Sequence, residues 1–357
     1  MSLHLKSPLG ALVLFLGFFA GAQTNFVPAA LEGQTFIHDP STIVRDGANY
    51  FIFGTGPGIR TKSSPDLIHW SNGSSVFRFS PVWTTKAVPE FRDAIWAPDV
   101  IRVNGKFFLY YAVSTWGKQL SVINLATNPT LNPAATNFLW TDCGPVIAST
   151  NGSAFNAIDP SAFHDDDGKL WLAFGSYWRG IYLTELNPET GLRAAANSPL
   201  HHLAWNDSIE AACLTRHGHF YYLFVNWGQC CRGTNSTYEV RVGRAEKVTG
   251  PYRDREGNDL ATGGGSLFLQ SCGRFIGPGH IGIMDSGGDA PSQNVAATPA
   301  SPRPSTVPLA TTTAASRPQA PALTLFSYHF YDADAEGRSR LAIAKIDWTS
   351  GWPVAVK

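Results

Sequence analysis

Four acidic residues recur at similar places along this chain, each six to nine residues before a glycine. The pairs are Asp39 with Gly47, Asp99 with Gly105, Asp159 with Gly168, and Glu210 with Gly218. If such acids meet in one pocket, their charges repel each other and at least one pKa must rise. A protonated carboxyl beside an ionised one can serve as acid and base in a hydrolysis, such as the cleavage of a glycosidic bond.

A structural role is the alternative for each acid taken singly. An Asp before a turn often accepts hydrogen bonds from backbone amides, and Asp-Pro is a common turn element. Acids at matching places in separate repeats nevertheless favour a shared pocket over independent turns. Asp99 is the exception, because the preceding Trp96-Ala97-Pro98 suggests packing and a turn. We therefore interpret Asp99 as part of the scaffold.

The strands that must position these acids also repeat. An aromatic-aliphatic strand follows each glycine, and a fifth lies near the C-terminus: Tyr50–Phe53, Phe107–Tyr110, Leu170–Ala173, Phe220–Leu223 and Leu325–His329. Successive glycines are 58, 63 and 50 residues apart, which is long enough for four short strands and their turns. Such a period is typical of a β-propeller blade. The sequence therefore predicts an all-β, five-bladed β-propeller with the acids at one mouth of its central channel.

Composition narrows the class of ligand. The 357 residues include 27 Lys+Arg and 27 Asp+Glu, which argues against a nucleic-acid partner. Charged residues make up 15% and aromatic residues 12% of the chain, a balance that suits a β protein handling an uncharged ligand such as a sugar. We expect a polysaccharide substrate, a monomer, and no nucleic-acid or membrane partner.

Two segments differ in composition from the propeller. Residues 1–22 combine Lys6, the apolar run Ala11–Leu16 and small residues at Ala20-Gly21-Ala22, which predicts a secretory signal peptide and an extracellular protein. A membrane anchor is the alternative, but the run is short for a membrane-spanning helix.

Residues 286–322 are rich in Ser, Pro, Ala and Thr, which predicts a disordered insertion. An interdomain linker is the alternative there, and the propeller is assigned to 23–285 and 323–357.

Secretion bears on the cysteines and on glycosylation. The five cysteines are Cys143, Cys213, Cys230, Cys231 and Cys272. An odd number leaves at least one thiol unpaired within the chain, and either buried thiols or one or two bridges fit the sequence. Four Asn-X-Ser/Thr sequences, at Asn72, Asn151, Asn206 and Asn235, are candidate glycan sites.

Several motifs, in order, resemble one known family. They are Phe36-Ile37-His38-Asp39-Pro40-Ser41, Trp96-Ala97-Pro98-Asp99, Asn156-Ala157-Ile158-Asp159-Pro160-Ser161, Gly175-Ser176-Tyr177-Trp178, Ser208-Ile209-Glu210-Ala211 and Gly277-Pro278-Gly279-His280. The chain resembles glycoside hydrolase family 43 over about 34–285 and 323–353, and most of all its endo-α-1,5-L-arabinanases. The resemblance implies a five-bladed propeller and an inverting mechanism. It also implies that Asp39 is the general base, Glu210 the general acid and Asp159 the residue that modulates the pKa and orientation of Glu210.

The same resemblance implies further site residues. Asn156 and Ser176 match positions that contact the sugar, and His38 is expected to bind sugar or the water around an ion. His280 matches a histidine near the propeller axis that helps to hold an ion, usually calcium with water ligands; no organic cofactor is expected. Trp96 and Trp116 are candidates for stacking on arabinose rings, with packing within the blades as the alternative.

The mode of action stays open between related alternatives. An exo-acting α-L-arabinofuranosidase or β-xylosidase on the same fold is the nearest, and we expect endo action because no segment matches the C-terminal β-sandwich of many β-xylosidases. A non-catalytic sugar-binding propeller is a third possibility, against which the presence of Asp39, Asp159 and Glu210 argues.

Overall fold

A computed structural model describes residues 26–285 and 324–357 of the chain. The signal peptide predicted at 1–22 and the insertion predicted at 286–322 lie outside these residues and stay predictions. Within the described ranges the only α-helix is Thr84–Ala87, with short 3₁₀ turns at Gly233–Asn235, Leu260–Thr262 and Ala333–Ala335. None of these helices is long and apolar enough to cross a membrane.

The remaining regular elements of the described residues are 22 strands in five sheets, which we number as blades 1 to 5. Blade 1 contains β1 (Glu32–Gly33), β2 (Val44–Asp46), β3 (Asn49–Gly54), β5 (Arg60–Ser64) and β6 (His69–Asn72). Blade 2 contains β7 (Ala94–Val103), β8 (Lys106–Val113), β9 (Ser121–Asn128) and β10 (Thr141–Ser149), and β4 (Gly56–Pro57) pairs with β7.

The other three blades each have four strands. Blade 3 contains β11 (Ser161–His164), β12 (Leu170–Phe174), β13 (Ile181–Leu186) and β14 (His201–Ala204). Blade 4 contains β15 (Glu210–His217), β16 (Phe220–Trp227), β17 (Glu239–Ala245) and β18 (Ser266–Leu269). Blade 5 contains β19 (Phe275–Asp285), β20 (Thr324–Asp332), β21 (Arg338–Asp347) and β22 (Val354–Val356). The prediction of an all-β, five-bladed propeller is confirmed.

The core explains why the middle strands are apolar without alternation. Five clusters of buried side chains each combine residues of two neighbouring blades. Phe108 of blade 2, for example, belongs to the same cluster as Leu172 of blade 3. Because both faces of a blade pack on neighbours, strands such as β8 and β12 read as continuous apolar runs.

Tight turns set the register between the innermost strand of a blade and the next strand. The turn between β7 and β8 consists of Asn104 and Gly105, with φ values of 49° and 77°. Two left-handed residues in a two-residue loop form the type I′ hairpin that matches the twist of the strands. Gly47, Gly105, Gly168 and Gly218 therefore lie in the turns that end the innermost strands β2, β7, β11 and β15. The innermost strand of blade 5 is β19.

The ring closes between the N-terminal segment and the last blade. The Leu341 amide donates a hydrogen bond to the Thr35 carbonyl oxygen at 2.8 Å, and Phe36 forms a β-bridge with Arg340. Ile37 and Ile52 pack in one cluster with Leu341 and Ile343. The first and last parts of the described chain are therefore held together by both backbone bonds and apolar packing.

Candidate active site

Five non-glycine residues, one from each blade, adopt a left-handed backbone at corresponding places within the innermost strand or shortly before it. These residues are Asp39, Ala97, Asp159, Ala211 and His280, with φ between 43° and 55°. Such a conformation is strained for a side chain with a Cβ, and it is concentrated at functional sites. Five equivalent positions of this kind mark one end of the propeller channel.

The preceding blade stabilises four of these five strained residues. The amide of Asp39 donates to His329 Nδ1 at 3.2 Å, and that of Ala97 donates to Thr55 Oγ1 at 2.8 Å. The amide of Ala211 donates to Asp159 Oδ2 at 3.1 Å, and that of His280 to Asn226 Oδ1 at 2.8 Å. In each bond the acceptor comes from the neighbouring blade, so closure of the ring fixes the geometry at this end.

This pattern corrects the register expected from the sequence. Asp39 and Asp159 occupy the equivalent left-handed position, but Glu210 lies one residue before it and Asp99 two residues after it. Spacing to the next glycine could not show this, because the innermost strands contain register shifts, between Trp96 and Asp99 and between Glu210 and Cys213. The four acids are therefore not four copies of one position.

Asp39 is a carboxylate surrounded by imidazoles. Its Oδ2 lies 2.8 Å from His38 Nδ1 and accepts a hydrogen bond from Thr55 Oγ1 at 2.5 Å. Its Oδ1 lies 3.5 Å from His280 Nδ1. Burial alone would raise the pKa of Asp39, but His38 and His280 outweigh burial and hold the pKa well below its usual range. Asp39 is therefore expected to be ionised at neutral pH.

The surroundings of Glu210, in contrast, favour the protonated form of its carboxyl. Ser176 Oγ donates to its Oε2 at 2.7 Å, and the Tyr238 hydroxyl donates to its Oε1. Burial raises the pKa of Glu210 to about 7, the charge of Asp39 adds to this effect, and the bonds from Tyr238 and Ser176 oppose it. A buried carboxyl with this pKa can carry a proton to a leaving group near neutral pH.

Asp159 supports Glu210 through the backbone. Its Oδ2 accepts the amide of Ala211, the residue directly after Glu210. Burial, followed by the charges of Glu210 and Asp39, raises the pKa of Asp159 well above its usual value. The sequence hypothesis gave an ionised Asp159 as the reason why Glu210 stays protonated, whereas in the structure burial is the largest cause for both residues.

Asp99 has the scaffold role expected from its neighbours. Its Oδ1 accepts the amide of Thr42 in blade 1, and its Oδ2 accepts the amide of Ala162 in blade 3, both at 2.9 Å. It is buried, and burial raises its pKa. One carboxyl of blade 2 therefore links the innermost segments of its two neighbours.

A cavity of about 450 Å³ opens beside Glu210. Its lining includes Trp96, Trp116, Asn156 and Ser176, all of them predicted site residues, together with Tyr177 and Trp178. Trp116 is 70% exposed, and its ring centroid lies 6.4 Å from that of the half-buried Trp96. An exposed indole in a cavity wall can stack on a sugar ring, so the cavity has the shape and lining of a carbohydrate site.

The structure also gives contacts for the predicted residues Asn156, Ser176 and His38. Asn156 is buried, and its Oδ1 accepts Ser121 Oγ at 2.7 Å, so a hydroxyl of blade 2 orients its amide. Ser176 already donates to Glu210 and therefore orients the acid directly. His38 lies beside Asp39, and its Nε2 is 2.8 Å from the Tyr331 hydroxyl. Although burial lowers the pKa of His38, the Asp39 carboxylate outweighs burial and raises it to about 10.

Sequence inspection missed Thr55, Tyr238, His329 and Tyr331. Each contacts a predicted residue from another part of the chain, as Tyr331 contacts His38 across 293 positions. His329 stood inside the fifth predicted strand, and its ring stacks on that of His38 with centroids 4.3 Å apart. A polar residue in an otherwise aromatic strand was the only signal that could have drawn attention to it.

The imidazole cluster bears on the expected ion. The possible ligand atoms of His38, Asp39 and His329 lie within 4.8 Å of one another. Calcium takes six to eight oxygen ligands, whereas this set offers nitrogens and a single carboxylate. The described residues therefore do not fit a calcium ion bound mainly by protein atoms, and we derive no catalytic step through one.

Two known proteins are similar to this chain in sequence. The chain is 41% identical over 261 residues to the extracellular exo-α-(1→5)-L-arabinofuranosidase ArbA of Cellvibrio japonicus, covering 69% of this chain and 75% of the relative. It is 33% identical to the extracellular endo-α-(1→5)-L-arabinanase 1 of Bacillus subtilis, covering 98% of this chain and 96% of the relative.

A solved structure matches the fold over most of its length. The α-L-arabinanase of Cellvibrio cellulosa, complexed with arabinohexaose, superposes with a TM-score of 0.77 at 34% identity, covering 91% of this chain and 96% of that one. The sequence model of glycosyl hydrolases family 43 matches residues 33–298, which include Asp39, Asp159, Glu210 and His280. The chain belongs to glycosyl hydrolase family 43.

Proposed function

We propose that this protein is a glycoside hydrolase that cleaves internal α-1,5-L-arabinofuranosidic bonds of arabinan with inversion of configuration. The observation that carries the proposal is the contrast between Glu210 and Asp39. One carboxyl is kept protonated by burial, and the other is kept ionised by surrounding imidazoles. Two carboxyls whose pKa values are driven apart in this way match the acid and base of a hydrolase.

The chemistry then follows from the two carboxyls. Asp39 accepts a proton from water as the water oxygen attacks the anomeric carbon. Glu210 donates its proton to the glycosidic oxygen as the bond from that oxygen to the anomeric carbon breaks. Ser176 and Tyr238 hold the Glu210 carboxyl, and Asp159 holds the backbone beside it, so the acid is oriented before substrate arrives. Trp96 and Trp116 contribute the stacking surface, with Asn156 and His38 as further sugar contacts.

Related proteins support the substrate. The solved relative holds arabinohexaose, and the Bacillus subtilis relative is named an endo-arabinanase. An exo-acting arabinofuranosidase is the second candidate, because the relative with 41% identity carries that name. Both act on the same type of bond, and they differ in whether the cleft is open at both ends or closed at one end.

Product size separates the two modes. The protein is incubated with linear arabinan, xylan and nitrophenyl arabinofuranoside, and products are followed by anion-exchange chromatography from the first minutes. Endo action predicts mixed short arabino-oligosaccharides early in the reaction. Release of a single small product from the start would support exo action, and activity on xylan alone would exclude arabinan as the substrate.

Secretion and glycosylation are part of the proposal. The two relatives named above are extracellular, which supports export with removal of residues 1–22. Asn72, Asn151 and Asn235 are exposed, so glycans can be attached there, while Asn206 is half-buried. Secreted expression followed by N-terminal sequencing and peptide-N-glycosidase treatment tests both points. A monomer is expected, and light scattering gives the mass in solution.

A calcium ion beside His280, bound mainly through water, completes the expectation from the family. His280 lies at the mouth of the channel with its ring next to Asp39. Elemental analysis of protein dialysed against calcium tests whether one ion per chain is retained. The melting temperature provides a second measurement. If the ion is present, chelation should lower the melting temperature.

A further inference from the structure

Two adjacent cysteines border the cavity, and the proposed hydrolysis uses neither of them. Cys230 lines the cavity together with Glu210. Cys231 is exposed, and its Sγ lies 3.6 Å from Nε2 of His38, the partner of Asp39. The pair therefore borders the surroundings of both proposed catalytic carboxyls. The structure shows all five cysteines of the chain as free thiols.

The two thiols are neighbours in the chain and differ in exposure. Cys230 is half-buried and Cys231 is exposed, and the neighbouring Cys230 thiol, followed by His38, lowers the pKa of Cys231. The thiolate is the form of cysteine that attacks a disulfide. An exposed, thiolate-forming cysteine with a second thiol as direct neighbour has the two components needed for closure into a ring.

The loop that carries the pair is fixed on both sides. The Thr237 amide donates to the Gln229 carbonyl oxygen at 2.9 Å, and the Arg232 amide donates to Ser236 Oγ at 3.0 Å. The Cys231 amide donates to the Tyr331 hydroxyl at 2.7 Å, and Cys231 has a left-handed φ of 66°. Changes at the sulfurs are therefore confined to the wall of the cavity.

We propose that Cys230 and Cys231 form a reversible vicinal disulfide in the wall of the substrate cavity, and that the closed ring is the state that binds substrate more tightly. A small-molecule disulfide, such as glutathione disulfide, is the oxidant. The Cys231 thiolate attacks one of its sulfurs and releases one glutathione thiolate. Cys230 then loses its proton to that thiolate and attacks the Cys231 sulfur, which releases the second glutathione. The protein pair loses two electrons, and the oxidant gains them.

The geometry makes this disulfide an easily reduced one. Adjacent Cα atoms are about 3.8 Å apart, below the span of about 4.4–6.8 Å that unstrained disulfides prefer. Strained and exposed disulfides are the labile ones, which a modest change in redox conditions opens. The pair is therefore suited to switching between states rather than to holding the fold together.

Closure of the disulfide ring changes the surface of the cavity wall that contacts the sugar. Two separate thiol side chains are replaced by one rigid, apolar surface beside Glu210. Because fewer groups are ordered on binding, KM should be about threefold lower in the oxidised protein, with kcat unchanged. This part of the inference rests on the proposed function of the cavity, whereas formation of the ring does not.

Mass spectrometry tests the ring directly. The full protein is equilibrated with glutathione disulfide, alkylated with iodoacetamide and digested without reductant. The peptide that contains Cys230 and Cys231 should be lighter by two hydrogens and carry no alkyl group, and dithiothreitol should restore alkylation at both residues. Two alkylated thiols after oxidation would overturn the proposal.

Kinetics on linear arabinan test the role of the ring. Oxidised and reduced wild type should differ about threefold in KM. Cys272→Ser, away from the cavity, should keep this response, and Cys230→Ser should lose it. An unchanged KM with a closed ring would overturn the role in binding.

Phenylarsine oxide, which bridges neighbouring thiols, gives a test without mutation. It should label the reduced wild type once per chain and leave the oxidised protein unlabelled. Equal labelling of the two forms would contradict formation of the ring.

The two proposals fail separately. If Glu210→Gln leaves turnover unchanged, the proposed function is wrong, whatever the redox state of the pair. If the pair never closes while Glu210→Gln is inactive, the hydrolase assignment stands and the redox inference is wrong.

Discussion

Glu210 and Asp39 both carry a carboxyl group, but their surroundings shift its pKa in opposite directions. Burial dominates at Glu210 and raises its pKa to about 7, whereas the imidazoles of His38 and His280 dominate at Asp39. Ionisation of Glu210 should therefore limit activity at alkaline pH. Ionised Asp39 should remain competent well into the acid range, so the pH profile of kcat/KM should fall mainly on the alkaline side.

Tyr238 provides a test of this assignment at the residue scale. Its hydroxyl donates to the Glu210 carboxyl and lowers the pKa of that group. In Tyr238→Phe the bond is lost, the pKa of Glu210 rises, and the alkaline limb of kcat/KM should move to higher pH. Tyr222→Phe removes a similar bond, to the Gly351 carbonyl oxygen far along the chain, and serves as the control. An alkaline limb that stays in place in Tyr238→Phe would mean that another group sets it.

The sequence identified the catalytic acids but not the side chains that contact and orient them. Asp39, Asp159 and Glu210 stand in local motifs, so their types and neighbours identified them. Tyr238 lies 28 positions from Glu210, and His329 lies 290 positions from Asp39. Contacts of such separation depend on closure of the ring and on which blades become neighbours, and no local pattern contains that information.

At the scale of elements, the innermost strands are linked by side chains rather than by a shared sheet. Asp99 accepts amides from blades 1 and 3, and four of the five left-handed residues donate to the preceding blade. The spacing of acids and glycines predicted the number of blades and the end at which the acids meet. It did not predict their exact register, because register shifts inside β7 and β15 move Asp99 by two residues and Glu210 by one residue from the position that Asp39 and Asp159 occupy.

Asp99→Asn tests this linkage. The NH2 group that replaces one carboxylate oxygen cannot accept a hydrogen bond, so at least one of the Thr42 and Ala162 backbone amides loses its buried acceptor. We expect the free energy of unfolding in urea to fall by about 1–3 kcal/mol. Asp167→Asn, at an exposed turn, is the matched control and should change it little. Equal stability of the two variants would show that the Asp99 bonds are dispensable.

At the scale of the whole molecule, closure of the ring links stability to the site. The segment that precedes Asp39 also joins blade 1 to blade 5, through Thr35 and through Ile37. The repeat in the sequence predicted a closed propeller. The joining contact was not predicted, because the bridge between Phe36 and Arg340 is a single isolated pair that leaves no periodic pattern in the sequence.

Ile37→Ala should therefore destabilise the entire domain. Ile37 is 1% exposed in the cluster shared by blades 5 and 1, so a cavity would remain between them. We expect a loss of about 2–5 kcal/mol in the free energy of unfolding, measured in urea. Ile68→Ala, at a side chain that is 46% exposed, is the control. A loss no larger than that of the control would mean that this interface contributes little to closure.

The most direct test of the central assignment is the turnover of linear arabinan by Glu210→Gln, compared with wild type and with Glu246→Gln, which changes an exposed glutamate. Glutamine keeps the size of the side chain but cannot supply the proton. We predict a roughly thousandfold lower kcat for Glu210→Gln and wild-type turnover for Glu246→Gln, with the fold intact in both by circular dichroism. A kcat for Glu210→Gln close to that of wild type would contradict the account.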